Sequence, residues 1–589
     1  MSFWTSEERI PISQTKLSIP AQHGLEYNPG QKCEFHLPAG VGFFQPKQSY
    51  LNLTCQIENS GVGDPTRLQL DAETGLQVLI KDVRIYSGGA GRILLEEYQN
   101  YNTLVALKYD YETNDTLKAK RALTEGATVW SSDSRSTTGM PQTQQNNLVE
   151  NPYYKPLPPQ TGAFSKSFDN SSYLQVKGLI PLQTGIFQND KIFPIGMTEG
   201  LVVEIVFEDV RRVFRTLDQT NRFRHLQGNP FFHSVNGSNS QPDEPKAANA
   251  SKFQSFFVRR DNCQGWSQDI SAFPFVVGEE IRFFNASTGV DNPSIADGVT
   301  QPKISEISYV AGTTNAIKVK LSGSYRPTAV LDQSHVIYSR AIEAASTYSP
   351  TYKISNAEFV LQKVEMPSGY TSKLASMMKS GGAMNYDFTS ATNYKVSQLR
   401  SERVANLRLP LNESRAKAVL CIPTDASASG TKELLSAQTT YITDFDLQTS
   451  SASRAWNANH TQRTGLVGVS DHITSYQLFY DGALNPSRKV SCAKISSKKS
   501  IDQQPLIELE KALVMGGMKP FSMLKFRQNF CIGRPLSLQN GVYDARGKDF
   551  ALQCEYQETE APTIDKLWMN WCIHLRRIVI SGSAISLQV

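Results

Sequence analysis

The chain has no long apolar run. Nowhere does it approach the ~20 consecutive apolar residues that a membrane-spanning helix needs. Its richest stretch, Leu201 to Phe207, is already interrupted by Glu204. The opening residues, Met-Ser-Phe-Trp-Thr-Ser-Glu-Glu-Arg, lack a basic segment followed by an apolar one, so no secretory leader is expected. Excess charge of one sign is small too: +5 over 589 residues gives no global electrostatic reason to expect nucleic acid. Cysteine is sparse and unpatterned. The eight (Cys33, Cys55, Cys263, Cys421, Cys492, Cys531, Cys554, Cys572) include no Cys-x-x-Cys pair, which argues against a zinc site or a disulfide framework. They read as buried free thiols; Cys55 shares a strand face with Leu51, Leu53 and Ile57. The expectation is a soluble protein with no transmembrane segment, made in a reducing compartment. Sequons such as Asn285-Ala-Ser and Asn459-His-Thr then count as accidents of a loop-rich composition.

Catalytic signatures are missing as well. The eight histidines (His23, His36, His225, His233, His335, His460, His472, His574) show no metal-ligand spacing and read as structural. Ser87-Gly-Gly-Ala-Gly-Arg92 lies between two elements where a phosphate loop would sit, but Arg92-Ile93 replaces the required Gly-Lys-Ser/Thr. It reads as a turn whose glycines take positive φ. Glu96-Glu97 and Glu279-Glu280 are adjacent acids that do not suggest a paired general acid and base; on a strand, Glu279 and Glu280 would face opposite ways. No Gly-x-Ser-x-Gly elbow occurs. The strongest charge feature, Arg211-Arg212-Val-Phe-Arg215 through Arg222-Phe-Arg224, could pair and stack with nucleic acid. Asp209 and Asp218 dilute it, and it reads better as a solvated or inter-subunit edge. No catalytic, cofactor-binding or metal-binding residue is assigned, and no enzyme activity is expected.

What is present is strand. Leu201, Val203, Ile205 and Phe207 alternate with Val202, Glu204 and Val206, and Phe550, Leu552, Cys554 and Tyr556 repeat the pattern near the end. Period two over short runs predicts strands with one buried face. Aromatic residues reach 10 %, with 23 Tyr and 28 Phe, which favours strands over helical bundles. Further strands are expected at 33–37, 50–57, 76–86, 173–182, 354–364, 386–396, 404–409, 416–422, 473–480, 571–580 and 584–589. A helix is expected over Leu94, Tyr98, Tyr101 and Val105, which recur at helical spacing. Another runs from an Asp502 cap through Pro505, Leu506, Leu509 and Leu513 to a Gly516-Gly517 stop. Both halves thus carry many strands, separated by polar loops such as 126–165, and one helix in a long connection.

In order and spacing these segments resemble the double jelly-roll major capsid proteins of virophages, polinton-like viruses and their large-DNA-virus relatives. The residues that carry the likeness are Ile80-Lys-Asp-Val-Arg-Ile-Tyr86 with Leu94-Leu-Glu-Glu-Tyr-Gln-Asn-Tyr101, then Ile192-Phe-Pro-Ile-Gly196 with Leu201 to Glu208. Leu409-Pro-Leu-Asn412 with Lys417-Ala-Val-Leu-Cys-Ile422, and Ile473 to Tyr480 with Asp481-Gly482, complete the set. The resemblance implies an all-β fold of two jelly-roll sandwiches side by side, with a few short helices and a small β-rich insertion. The boundaries expected are 1–215 for the main part of the first roll, 216–350 for the insertion and 351–370 for that roll's last strand. A linker with a short helix follows at 371–383, and the second roll at 384–589. It further implies a virion component that forms homotrimeric, pseudo-hexameric capsomers tiling an icosahedral shell. Its partners would be itself, penton and minor capsid proteins, with no cofactor and no specific nucleic-acid binding. The competing class is a receptor- or glycan-binding surface protein, since jelly rolls are common in lectins. A third, a carbohydrate-active β-sandwich enzyme, needs two carboxylates about 5 to 9.5 Å apart.

Overall fold

The computed structural model describes residues 13–59, 68–70, 74–89, 91–112, 174–216, 350–426, 473–492, 503–521, 529–536, 541–556, 565–582 and 584–588. It also describes short strand segments between 232 and 339 and isolated positions at 117–125, 466–468, 526 and 562. Sixteen of its strands form two sandwiches. In the first half these are β1 (Ser13–Pro20), β2 (Lys32–Leu37), β3 (Tyr50–Asn59), β4 (Ile80–Ser87), β5 (Leu94–Gln99), β6 (Leu174–Ile180), β7 (Leu201–Phe207) and β8 (Pro350–Glu365). In the second they are β9 (Ala383–Gln398), β10 (Val404–Leu409), β11 (Ala416–Asp425), β12 (Ile473–Tyr480), β13 (Ala483–Ser491), β14 (Ile532–Pro535), β15 (Phe550–Tyr556) and β16 (Lys566–Ser581).

The first half pairs as β1-β8-β3-β6 in one sheet and β2-β7-β4-β5 in the other. The second half pairs as β9-β16-β11-β14 and β10-β15-β12-β13. Adding eight to each label of the first half gives the second, so the two halves share one jelly-roll topology with every neighbouring pair antiparallel. Within the first sandwich, Phe35 of β2 meets Phe359 of β8 with ring centroids 5.7 Å apart. Within the second, the Tyr556 hydroxyl on β15 donates to Gln398 Oε1 on β9 at 3.0 Å. The excursion between β7 and β8 holds the insertion. Its described strands form a four-stranded sheet (232–234, 253–259, 316–325, 304–309) and a three-stranded one (290–292, 281–285, 335–339).

Several expectations change. Leu94–Gln99 is strand rather than helix, paired antiparallel with β4, and Asn100 at φ +57 ends it. Its N–H is bonded to Asp82 Oδ1 at 2.9 Å, and asparagine tolerates that left-handed conformation. The helix is α1 (Tyr101–Glu112), and nearly every residue of it is buried, so it shows no polar stripe to read. Its polar groups are paired inside: the Tyr101 hydroxyl donates to Gln77 Oε1 at 2.8 Å, and Asn102 Nδ2 donates to Glu208 Oε2 at 2.8 Å. The stretch 76–86 opens with a 3-10 turn, Gly75–Leu79, before strand begins at Ile80. Strand β7 is buried on both faces, not one, with Val202 and Glu204 covered on its outer side. The strands β1, β5, β13 and β14 were not foreseen. A short helix, α2 (Ser368–Lys379), does follow β8, starting three residues before the expected linker bound at 371. Helix α3 (Gln503–Met515) ends as expected: Met518 N–H reaches back to Leu513 O at 2.9 Å across Gly517 at φ +83. Asp502, its expected cap, lies outside the described residues.

Seven of the cysteines are free and buried; Cys263 lies outside the described residues. Burial pushes the Cys33 and Cys55 thiols up to about 12 and raises Cys421, Cys531, Cys554 and Cys572 as well. Because thiolate is the reactive form, these groups should be inert while the protein is folded. A disulfide reagent at pH 8 should therefore label at most one thiol per folded chain rapidly and all eight after denaturation. Fast labelling of three or more in the folded protein would contradict this core.

Candidate functional site: the seam between the rolls

The two rolls meet along a seam built from β5, α1 and the 183–193 loop on one side, and β9, β16 and the segments around 518 and 529 on the other. Tyr98 faces Trp571 with centroids 6.1 Å apart, and Phe193 meets Tyr386 edge-on at 5.0 Å. Asn393 Nδ2 donates to Gln99 O and Asn189 Nδ2 to Asp387 O, both at 2.9 Å. At the far end of α1, Asn529 Nδ2 donates to Asp110 Oδ2 at 2.7 Å, and the Tyr111 hydroxyl donates to Asn529 O at 3.0 Å.

Glu96, fully buried, holds the 183–193 loop in place by accepting the N–H groups of Gly185 at 2.7 Å and Ile186 at 3.0 Å. Burial raises its pKa, against these donors and the nearby Arg576 cation. Glu97 points elsewhere and pairs with Arg84 at 2.8 Å. The adjacent acids therefore serve two unrelated contacts. Glu279 and Glu280 lie outside the described residues.

A cleft of about 320 Å³ opens on the seam, lined among others by Lys108, Gln188, Asp190, Asp387 and Gly517. Its charged groups are already engaged. Burial pushes the Asp387 carboxyl up, but Arg577 at 2.7 Å and Arg415 at 3.7 Å more than offset this and hold it below the usual carboxylate range. Lys108 has Glu112 at 3.7 Å, and burial lowers its pKa. The cleft brings together no nucleophile, base and orienting partner among the described residues.

A second cluster, Glu413, Cys572 and His574, is buried, and its potential ligand atoms lie within 4.8 Å of one another. It does not fit a metal. Nδ1 of His574 is 3.1 Å from Cys572 O, and Nε2 is 2.9 Å from Nε of Arg576, so neither ring nitrogen has a lone pair to offer. The Glu413 carboxylate is engaged by the Tyr394 hydroxyl at 2.6 Å and the Asn412 N–H at 3.1 Å. A fixed guanidinium cation beside the imidazole disfavours a second cation as well. His574 is thus held by the Cys572 carbonyl and the Arg576 guanidinium. His36 instead lies half-exposed and bonds Glu34 at 2.5 Å.

Two other sequence features find different explanations. In the Ser87–Arg92 turn, the described glycines 88, 89 and 91 are not at positive φ. A Cβ on Gly88 would instead lie 2.2 Å from Glu199 O, so close backbone approach is what requires glycine there. Arg212 is buried and lies 3.7 Å from Glu208, which makes it an internal partner rather than a solvated edge. Residues 217–224 of that run lie outside the described residues.

Sequence reasoning missed a charged network on the outer face of β2-β7-β4-β5. There Glu34 and Glu204 are direct cross-strand neighbours. Lys32 lies 3.0 Å from Glu204 and 3.6 Å from Glu34; Arg84 pairs with Glu204 at 2.8 Å and Arg92 with Glu34 at 2.9 Å. Burial pushes Glu34 up, but His36 and Arg92 prevail and lower it. The signal was available in Lys32-x-Glu34-x-His36, three charged or polar residues on one face of a strand.

At Gly185 the rolls approach closely: a Cβ there would meet the Thr389 carbonyl oxygen at 2.0 Å. Gly185→Ala should therefore cost about 1–3 kcal/mol, seen as a lower melting temperature. Gly40→Ala, which meets nothing within 4 Å, should be near neutral. Equal melting temperatures for the two variants would contradict the seam geometry.

No protein-family model and no curated protein matches the sequence. Solved structures do. The chain is similar to the mavirus major capsid protein at 10% identity, over 100% of this chain and 93% of that one, with a TM-score of 0.42. It is similar to the Faustovirus major capsid protein at 9% identity, over 98% and 92%, with a TM-score of 0.45. A chain in the cryo-EM structure of the Sputnik virophage matches at 9% identity, over 100% and 90%, with a TM-score of 0.42. At such scores the likeness lends no weight of its own, and the repeated strand order carries the assignment. The chain is an all-β protein of two jelly-roll sandwiches side by side, with a few short helices and a β-rich insertion.

Proposed function

We propose that the chain is a viral major capsid protein, not an enzyme, and that it assembles as homotrimers. Each capsomer then presents six rolls in a pseudo-hexagonal ring, and capsomers tile an icosahedral shell in the virion. The observation that supports this reading best is the duplicated topology, one roll repeated eight labels later. Two similar blocks in a fixed side-by-side arrangement are what a three-chain ring needs to approximate sixfold packing. The division 1–215, 216–350, 351–370, 371–383 and 384–589 follows from this reading, as do penton and minor capsid proteins as further partners. A glycan-binding role would call for clustered aromatics on one loop set, whereas the described aromatic pairs pack within the rolls or across the seam.

Light scattering of the purified chain should give three times the 65.5 kDa chain mass. Micrographs of the same sample should show six-sided particles. A monomer at every concentration and salt tested would sink the proposal. Obligate contacts of this kind bury more than about 2,000 Å² in total.

A further inference from the structure

His574 has no exposed surface, and both its ring nitrogens are committed. A guanidinium carries only donors and keeps its proton at any pH a protein meets. Arg576 Nε must therefore donate and His574 Nε2 accept, which puts the ring proton on Nδ1, bonded to Cys572 O. The same guanidinium donates through Nη1 to Leu95 O on β5, at 2.9 Å, in the other roll. Arg576 thus spans the seam, with a neutral imidazole holding one end and the first roll's backbone the other.

We propose that His574 is an acid-operated latch on the seam between the rolls. A proton on Nε2 removes the acceptor that aims Arg576, sets two cations side by side and frees Arg576 from Leu95 O, so the junction loosens. The inference is independent of trimer formation, since every group in it belongs to one chain.

The groups around the imidazole set the sign. On its own strand, Arg576 opposes a second positive charge and Cys572 supplies a carbonyl. Glu413 favours the imidazolium, but its oxygens are engaged by Tyr394 and Asn412. Directly across in register stand Ser390 on β9 and Ala416 on β11, neither of them charged. Glu96 of β5 lies near Arg576, and Asp387 is taken by Arg577 and Arg415. Burial and Arg576 outweigh Glu413 and lower His574 from 6.5 to about 4. The folded chain therefore binds fewer protons than the unfolded one between those values. The stability from this site is complete above about pH 6.5 and falls as pH drops toward 4. Glu96, whose pKa is raised, acts in the opposite sense, because acid relieves the cost of its charge.

The test is amide hydrogen exchange on the full chain between pH 7.5 and 4.5, corrected for intrinsic rates. It compares seam peptides covering 94–112 with peptides covering 473–491 on the far sheet of the second roll. In the wild type, seam peptides should exchange about tenfold faster at the acid end while the far sheet changes little. His574→Gln keeps a side-chain oxygen for Arg576 but takes no proton, so its seam profile should stay flat. An equal acid response in the two proteins overturns the proposal. Should the variant not fold, the wild type alone still decides: seam and far-sheet peptides that accelerate with one midpoint also overturn it.

Discussion

The structure depends on fixing two closed sandwiches to each other without slippage. The buried apolar residues of the two rolls run into one continuous cluster, and a junction made of apolar area alone would tolerate many relative angles, because the hydrophobic effect has no direction. Here the junction is directional. Asn393, Asn189, Asn529 and Arg576 each donate to a carbonyl or carboxylate oxygen of the other roll. Each such bond, part-buried or buried, adds only about 0.5–1.5 kcal/mol when made. Leaving one unmade costs about 1–3 kcal/mol, so a rotated junction loses several at once. The Tyr98–Trp571 and Phe193–Tyr386 pairs fill the space between these bonds.

Charge on the outer face of the first roll follows the same logic at another place. Opposing Glu34 and Glu204 across a strand pair would destabilise the sheet if they stood alone. Lys32 between them, with Arg84 and Arg92 on either side, turns the repulsion into an alternating row that crosses four strands. Glu34 and Glu204 are the buried members and Lys32, Arg84 and Arg92 the more exposed ones, as expected when long aliphatic stems lie along a sheet and keep their charged ends wet.

Much of this architecture was legible in the sequence because strands with one wet face alternate. Phe550–Tyr556 alternates buried and partly buried residues without exception, and its bounds were read correctly. What failed to show itself had physical reasons. Strand β1 lies at a sheet edge with almost every side chain exposed, so Ser13–Pro20 has no apolar alternation to detect. Helix α1 is buried on all sides and therefore lacks a stripe, which let the period of Leu94, Tyr98 and Tyr101 pass for its first turn. At the seam, neither Gly185 nor Asn529 carries a local signature; their roles arise from partners some 200 and 400 residues away.

The excursion between Phe207 and Pro350 joins a strand of one sheet to a strand of the facing sheet in the same roll. Among the described residues, no strand of either sandwich core is contributed from within it. Past the buried Glu208–Arg212 pair at its start, its length can therefore vary while the paired registers of β7 and β8 stay intact. The registers that frame the two rolls therefore do not run through this crossover.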